Sequence, residues 1–138
     1  MSTPKLSIIT HFYNQHDLVK AHVARWKLLP VEVAQKIEFI CIDDFSDNQI
    51  ELDKGDLNLR LFRVLDDIHW NMPGCKNLGA FMSKADWLLF FDIDNSIEAD
   101  GLLKILDAID HMDRQKLYRF KRIEQGKEVD AHINTLLL

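Results

Sequence analysis

Two rhythms alternate along the chain. Short, dense apolar runs with β-branched residues mark strands at Leu6–Phe12, Ile37–Ile42, Leu59–Leu65 and Trp87–Phe91. Between them, apolar residues recur every three or four positions. Leu18, Val19, Val23, Trp26 and Leu29 mark one helix, which Pro30 ends. Leu78, Phe81, Met82 and Ala85 mark a second, running from about Gly74 to Lys84, and Leu102, Ile105, Leu106, Ile109 and Met112 mark a third. Leu117–Ile123 reads as a charged, edge-like strand followed by a turn at Gly126, and the chain then ends on Leu136, Leu137 and Leu138. The order β-α-β-loop-β-α-β-α-β predicts an α/β fold, a mostly parallel open sheet with helices on both faces. Runs as continuously apolar as IEFICI and WLLFF suit a sheet covered on both sides. Trp26, Phe39, Phe90 and Met82 are expected in the core. The leucine tail is expected to dock, on this domain or on a longer parent.

At 138 residues the chain is about one domain, 1–138, with neither an internal repeat nor a linker. Its net charge of −5 supplies no general attraction to nucleic acid or to anionic membrane. The longest apolar run, Trp87–Phe91, is far short of the ~20 residues of a membrane span. No signal peptide is visible. The two cysteines, Cys41 and Cys75, form no C-x-x-C and read as reduced thiols of a cytoplasmic protein, Cys41 in the core.

Ligands of open α/β sheets bind beyond the carboxyl ends of the strands. Three of the apolar strands end in polar clusters: His11–Asn14, Asp43-Asp44, and Asp92-Ile93-Asp94-Asn95. Parallel strands would bring all three to one rim. Asp92 and Asp94 put two hard carboxylates side by side, which with water and phosphate oxygens make a Mg²⁺ or Mn²⁺ site. The same three residues also make an ordinary solvated turn that caps a helix. Asp43 and Asp44 suit the N–H and hydroxyl groups of a nucleoside, or equally a turn shared with Ser46, Asp47 and Asn48. In the segment NMPGCKNLG (71–79), Pro73-Gly74 reads as a turn and Lys76 falls in the first turn of a helix. A lysine there clamps a diphosphate or is simply solvated. Gly79 permits close approach of a strand or a ligand. His69 and Trp70 either line the pocket or, by preference, pack. No Walker A loop, G-x-G-x-x-G, H-E-x-x-H or G-x-S-x-G is present.

Four segments in this order, SIITHFYN (7–14), EFICIDDFSD (38–47), WNMPGCKNLGA (70–80) and WLLFFDIDN (87–95), resemble the family 2 glycosyltransferases with the GT-A fold. That family moves a sugar from a nucleotide-diphospho-sugar to an acceptor hydroxyl, usually with inversion and a divalent metal. The resemblance implies that His11 and Tyr13 line the nucleoside pocket and that Asp43 or Asp44 holds the base, most often a uracil. It places Lys76 where the family often has an arginine on the nucleotide, Asp92 near the ribose, and Asp94 on the metal. The chain departs from the pattern at three points. Asp47 follows Ser46 directly. Lys76 keeps the charge but loses the bidentate fork. Residues 131–138 look like the lead into an acceptor-side half that carries the general base. Asp100, Glu124, Glu128 and Asp130 are the acids at hand, and nothing singles one out as that base.

The expectation is therefore a metal-dependent, inverting glycosyltransferase domain, complete on the donor side and lacking the acceptor half. Its partners would be a UDP-sugar before a GDP-sugar, Mn²⁺ or Mg²⁺, and a glycan or other hydroxyl acceptor, with no nucleic acid. Self-association or a partner domain stays open. The alternative is a non-catalytic nucleotide-binding or interaction module of the same fold. A third reading is an unrelated doubly wound domain that handles phosphate on an aspartate.

Overall fold

The four apolar runs form the strands expected of them, β1 (Leu6–Phe12), β2 (Ile37–Asp43), β3 (Leu59–Arg63) and β4 (Trp87–Phe90). The computed structural model describes residues 3–129 and 136–138. These four strands pair in parallel in the order β3-β2-β1-β4, with Leu6 beside both Ile37 and Trp87 and Phe39 beside Leu59. The chain steps outward from β1 to β2 and β3, then returns to the other side of β1. Helices α1 (His16–Trp26), α2 (Val31–Ala34), α3 (Met72–Met82) and α4 (Ala99–Ala108) make or follow the crossovers.

Alternation along the strands splits the interior into two cores. Leu6, Ile8, Phe12, Phe39, Cys41 and Leu89 face α1 and α4, where Val19, Val23, Trp26, Leu102, Ile105 and Leu106 close the larger core. Ile9, Ile40, Ile42 and Phe90 face α3 and meet Cys75 and Leu78. The approach of α3 is close enough that a Cβ on Gly79 would stand 2.3 Å from Ile9 Cγ2, so the near neighbour that this glycine serves is a strand.

Three details differ from expectation, and one open choice is decided. Helix α3 starts at Met72, with Pro73 and Gly74 inside its first turn, so Lys76 lies in the second turn. Its inward face is Cys75, Leu78 and Gly79. Phe81 therefore points to solvent at 86% exposure, and Met82 is only partly buried. The charged segment near 120 is not one strand. Tyr118–Arg119 (β5) joins the main sheet, while Arg122–Glu124 (β6) and Lys127–Val129 (β7) form a separate hairpin. Its turn, Gln125-Gly126, has φ of 49° and 77°. The tail docks on this domain: Leu136–Leu137 (β8) runs antiparallel between β4 and β5, with Leu137 fully buried. Residues 130–135, among them Asp130 and most of the expected lead into an acceptor half, lie outside the described residues.

Candidate functional site

Because β1, β2 and β4 are parallel and in register, their carboxyl ends meet on one rim as expected. The parity that separates the two cores also sorts the rim. His11 and Asp92 continue the α3 face, and there they meet Lys76. Lys76 Nζ lies 3.7 Å from Asp92 Oδ1, and both side chains are 19% exposed. Burial lowers the His11 pKa, and the Lys76 charge lowers it further against the pull of Asp92 and Asp44, so the imidazole stays neutral among these charges. Asp92 Oδ1 and His11 Nδ1 are buried without a hydrogen-bond partner among the described residues. Buried polar atoms are normally paired, so these two, on one rim, are candidates for bonding to a ligand.

Asp43 and Asp44 part company. Asp43 is buried and faces α1. Arg63 Nη1 donates to it at 2.5 Å, and the Ser46 N–H donates at 2.8 Å. Its carboxylate is thus spent on the loop after β2. Asp44 turns toward α3 and accepts from Asn71 Nδ2 at 3.1 Å. It also lies close to the Cys75 thiol, whose pKa rises to about 12, first through burial and then through the Asp44 charge. Asn71 was not singled out from the sequence, although it opens the quoted loop. It stands at the start of α3, and Gly74 makes room for it: a Cβ there would be 2.1 Å from Asn71 Oδ1.

The two loops on the β1 and β2 side are tied together. The Asn14 N–H donates to Ser46 Oγ at 2.8 Å, Asn14 Nδ2 to Asp47 Oδ2 at 3.1 Å, and the Asp47 N–H to Asn14 Oδ1 at 2.9 Å. Tyr13 sits beside this tie, half-exposed on the rim. His69 and Trp70 do not pack: both are exposed, Trp70 with φ of 55°. Asp94 is exposed at the outer end of the Asp92–Asp94 turn. Beside it opens a groove of about 950 Å³ floored by Phe91, Ile105, Phe120 and Leu137. Among the described residues no group of three or more His, Cys, Asp or Glu side chains is placed to hold a metal ion. Two carboxylates are what the turn offers, one with a buried oxygen that accepts no hydrogen bond, and this suits a cation that takes its other oxygens from phosphate and water. Of the acids considered for the base, Asp100 pairs with Lys104, Glu124 with Arg122 and Glu128 with Lys121.

The mostly parallel four-strand sheet with its crossover helices is a glycosyltransferase fold. A curated relative, an uncharacterized glycosyltransferase of Haemophilus influenzae, is 29% identical over 105 residues, 76% of this chain and 34% of its own length. Among solved structures, S. aureus TarS 1–349 in complex with UDP superimposes with a TM-score of 0.63 at 22% identity, over 77% of this chain and 32% of its own. The mannosyltransferase PcManGT of Pyrobaculum calidifontis, in complex with GDP-Man and Mn²⁺, does so at 0.53 and 16%, over 68% and 28%. The chain thus spans about a third of the length of these proteins. No family model matches. Among the described residues, no helix is long and apolar enough to cross a membrane.

Proposed function

We propose that this chain is the donor-binding part of a glycosyltransferase. It holds a nucleotide-diphospho-sugar with a divalent cation, for transfer of the sugar to an acceptor hydroxyl. The observation that carries the reading is the meeting of His11, Asp44, Asn71, Lys76 and Asp92 on the rim of this fold, with two buried polar atoms left unpaired. Asp44 and Asn71 form a hydrogen-bonding pair at one end, where a base is read, and neutral His11 with Tyr13 gives the nucleoside a surface. Lys76 supplies a fixed positive charge to the diphosphate and balances Asp92 until the ligand arrives. Asp92 and Asp94 are the residues that would hold Mn²⁺ or Mg²⁺. When bound, the metal offsets charge on the diphosphate leaving group. The groove beside Asp94 leaves room for the sugar and its acceptor. Asp43 acts through Arg63, fixing the loop on which Asp44 stands. UDP is the first nucleotide to try: TarS was crystallised with UDP and with UDP-GlcNAc. GDP is the second, after the mannosyltransferase. The general base of the transfer belongs to the acceptor side, and we assign it to no residue described here. Two free, buried thiols support a cytoplasmic setting.

Calorimetric titration of UDP and of GDP, with Mn²⁺ and with EDTA, tests the reading on the wild type and on Asp94→Asn. Metal-dependent binding that the substitution abolishes is the expected result. Binding that is indifferent to both metal and substitution refutes the metal site, and no binding of either nucleotide refutes the donor site.

A further inference from the structure

The inner stripe of α1 is Val19, His22, Val23 and Trp26, an i, i+3, i+4, i+7 series with a histidine at a core position. The His22 ring is 4% exposed. It stacks on Trp26, with centroids 5.5 Å apart, and meets Phe91 edge-on at 5.5 Å. A polar ring in such a place costs stability unless it is hydrogen-bonded. Its partner is a main-chain atom: Nε2 lies 2.7 Å from the carbonyl oxygen of Ile93, the middle residue of the Asp92–Asp94 turn.

The turn is therefore anchored from inside. Phe91 and Ile93 bury their side chains in the α1 core, while the Asn95 N–H donates to the Asp92 carbonyl at 3.0 Å. Side-chain burial fixes where the turn sits but leaves the peptide after Ile93 free to rotate. The hydrogen bond from His22 removes that freedom, and the peptide it fixes leads directly into Asp94. A leucine or phenylalanine at position 22 would fill the core equally well but would leave the Ile93 carbonyl to seek water, with Asp94 turning as the peptide turned.

We propose that His22 is a positioning residue of the donor site: its Nε2–H holds the Ile93 carbonyl and so sets the direction in which Asp94 presents its carboxylate to the cation. This rests on the donor-site reading above. It deepens that reading by making cation affinity depend on a residue that touches neither metal nor nucleotide.

The test compares wild type, His22→Phe and His22→Gln, titrating UDP with and without Mn²⁺ well below the melting midpoint of each. The readout is the ratio of the two affinities. His22→Phe keeps the ring contacts and loses the donor, so the ratio should fall roughly tenfold, the size typical for partners that orient metal ligands. The metal-free affinity should stay within about twofold, since one neutral hydrogen bond remote from the nucleotide is lost. His22→Gln keeps an N–H in reach and should recover most of the ratio. An unchanged ratio in both variants, even with lowered melting midpoints, overturns the positioning role and leaves the donor site standing. A wild type without any metal effect overturns the donor-site metal and this role with it. If His22→Phe does not fold, the ¹⁵N spectrum of wild-type imidazoles decides: a proton on His22 Nε2 is expected, and a neutral ring protonated on Nδ1 instead overturns the proposal.

Discussion

Glu38 offers the sharpest test of how the sheet fixes the helix that carries Lys76. It is the second residue of β2, on the α3 face, and wholly buried. Its carboxylate accepts from Ser7 Oγ at 2.8 Å, from the Lys84 N–H at 2.9 Å and from Arg60 Nη2 at 2.5 Å. Arg60 also donates to the Met82 carbonyl, and Ser83 Oγ donates to Ser7 Oγ at 2.7 Å. One buried charge thus ties β1, β2 and β3 to the carboxyl end of α3, at the edge of the sheet away from the rim. Removing one partner of a buried ion pair costs about 3–5 kcal/mol, because the other is left uncompensated. The Arg60 side chain is 25% exposed, so water takes up part of that cost. Glu38→Leu and Arg60→Met should each lose about 3 kcal/mol. Glu38→Gln, which keeps an acceptor, should lose about 1–2 kcal/mol. The double variant removes both charges and leaves the Lys84 N–H, the Ser7 hydroxyl proton and the Met82 carbonyl without these partners. It should lose about 2 kcal/mol, far less than the sum of the single losses.

Urea unfolding followed by circular dichroism reads these losses directly. With a slope of about 2 kcal/mol per molar, a loss of 3 kcal/mol lowers the midpoint by about 1.5 M. A double variant as unstable as the two single losses added together would refute the reasoning, since the carboxylate and guanidinium would then be acting independently.

Other outcomes follow from the same geometry. Gly79→Ala drives a methyl into Ile9 Cγ2 and within 3.1 Å of Ile42 Cδ1, so α3 must lift from the sheet; a loss of about 1–3 kcal/mol in urea unfolding is expected. Lys76→Ala should weaken UDP binding about tenfold in calorimetry, while Lys76→Arg should hold or improve it, since the fork suits a diphosphate. Cys41 and Cys75 are buried with pKa values raised to about 12, so neither should react with a thiol reagent at pH 8 until the protein unfolds, and the labelling rate then reports opening. Burial lowers the His22 pKa, against the Ile93 carbonyl and with help from Arg25. Below about pH 6.5 the unfolded chain binds a proton there that the folded chain refuses, so stability falls as pH falls from 6.5 toward the lowered value. Wild type should therefore lose more stability than His22→Gln between pH 7 and 5.5 in urea melts.

The parts of this fold that the sequence displayed are those written in local order. Strands β1 to β4 and the three longer helices show in periodicity alone, and the rim acids show because they stop apolar runs. What stayed hidden depends on distant partners. Asp43 and Asp44 look equivalent in sequence, yet adjacent strand residues point to opposite faces, and only the placement of α3 and Arg63 decides which acid meets the site. In the sequence, Arg60 and Arg63 are merely charged breaks in the apolar run 59–65. Glu38 passed unnoticed inside an apparently apolar run because its compensating charge lies 22 residues away. The turn at Gly126 shows in the sequence, but the pairing of β6 with β7 and the insertion of Leu137 beside Leu89 are tertiary choices that apolar spacing does not encode.

The division has a physical cause that bears on the site. A residue that meets ligand must break the local pattern, because a polar group at the end of a buried strand has no other reason to be there. A residue that aims such a group from behind must obey the pattern, because it sits in the core. His22 occupies a helix position where a valine would serve the packing, and Glu38 is equally quiet in the chain. The polar residues of the rim could therefore be read from the sequence, while the contacts that orient them could not. Substitutions at these quiet positions separate a rim that merely gathers acids from one that is held to bind.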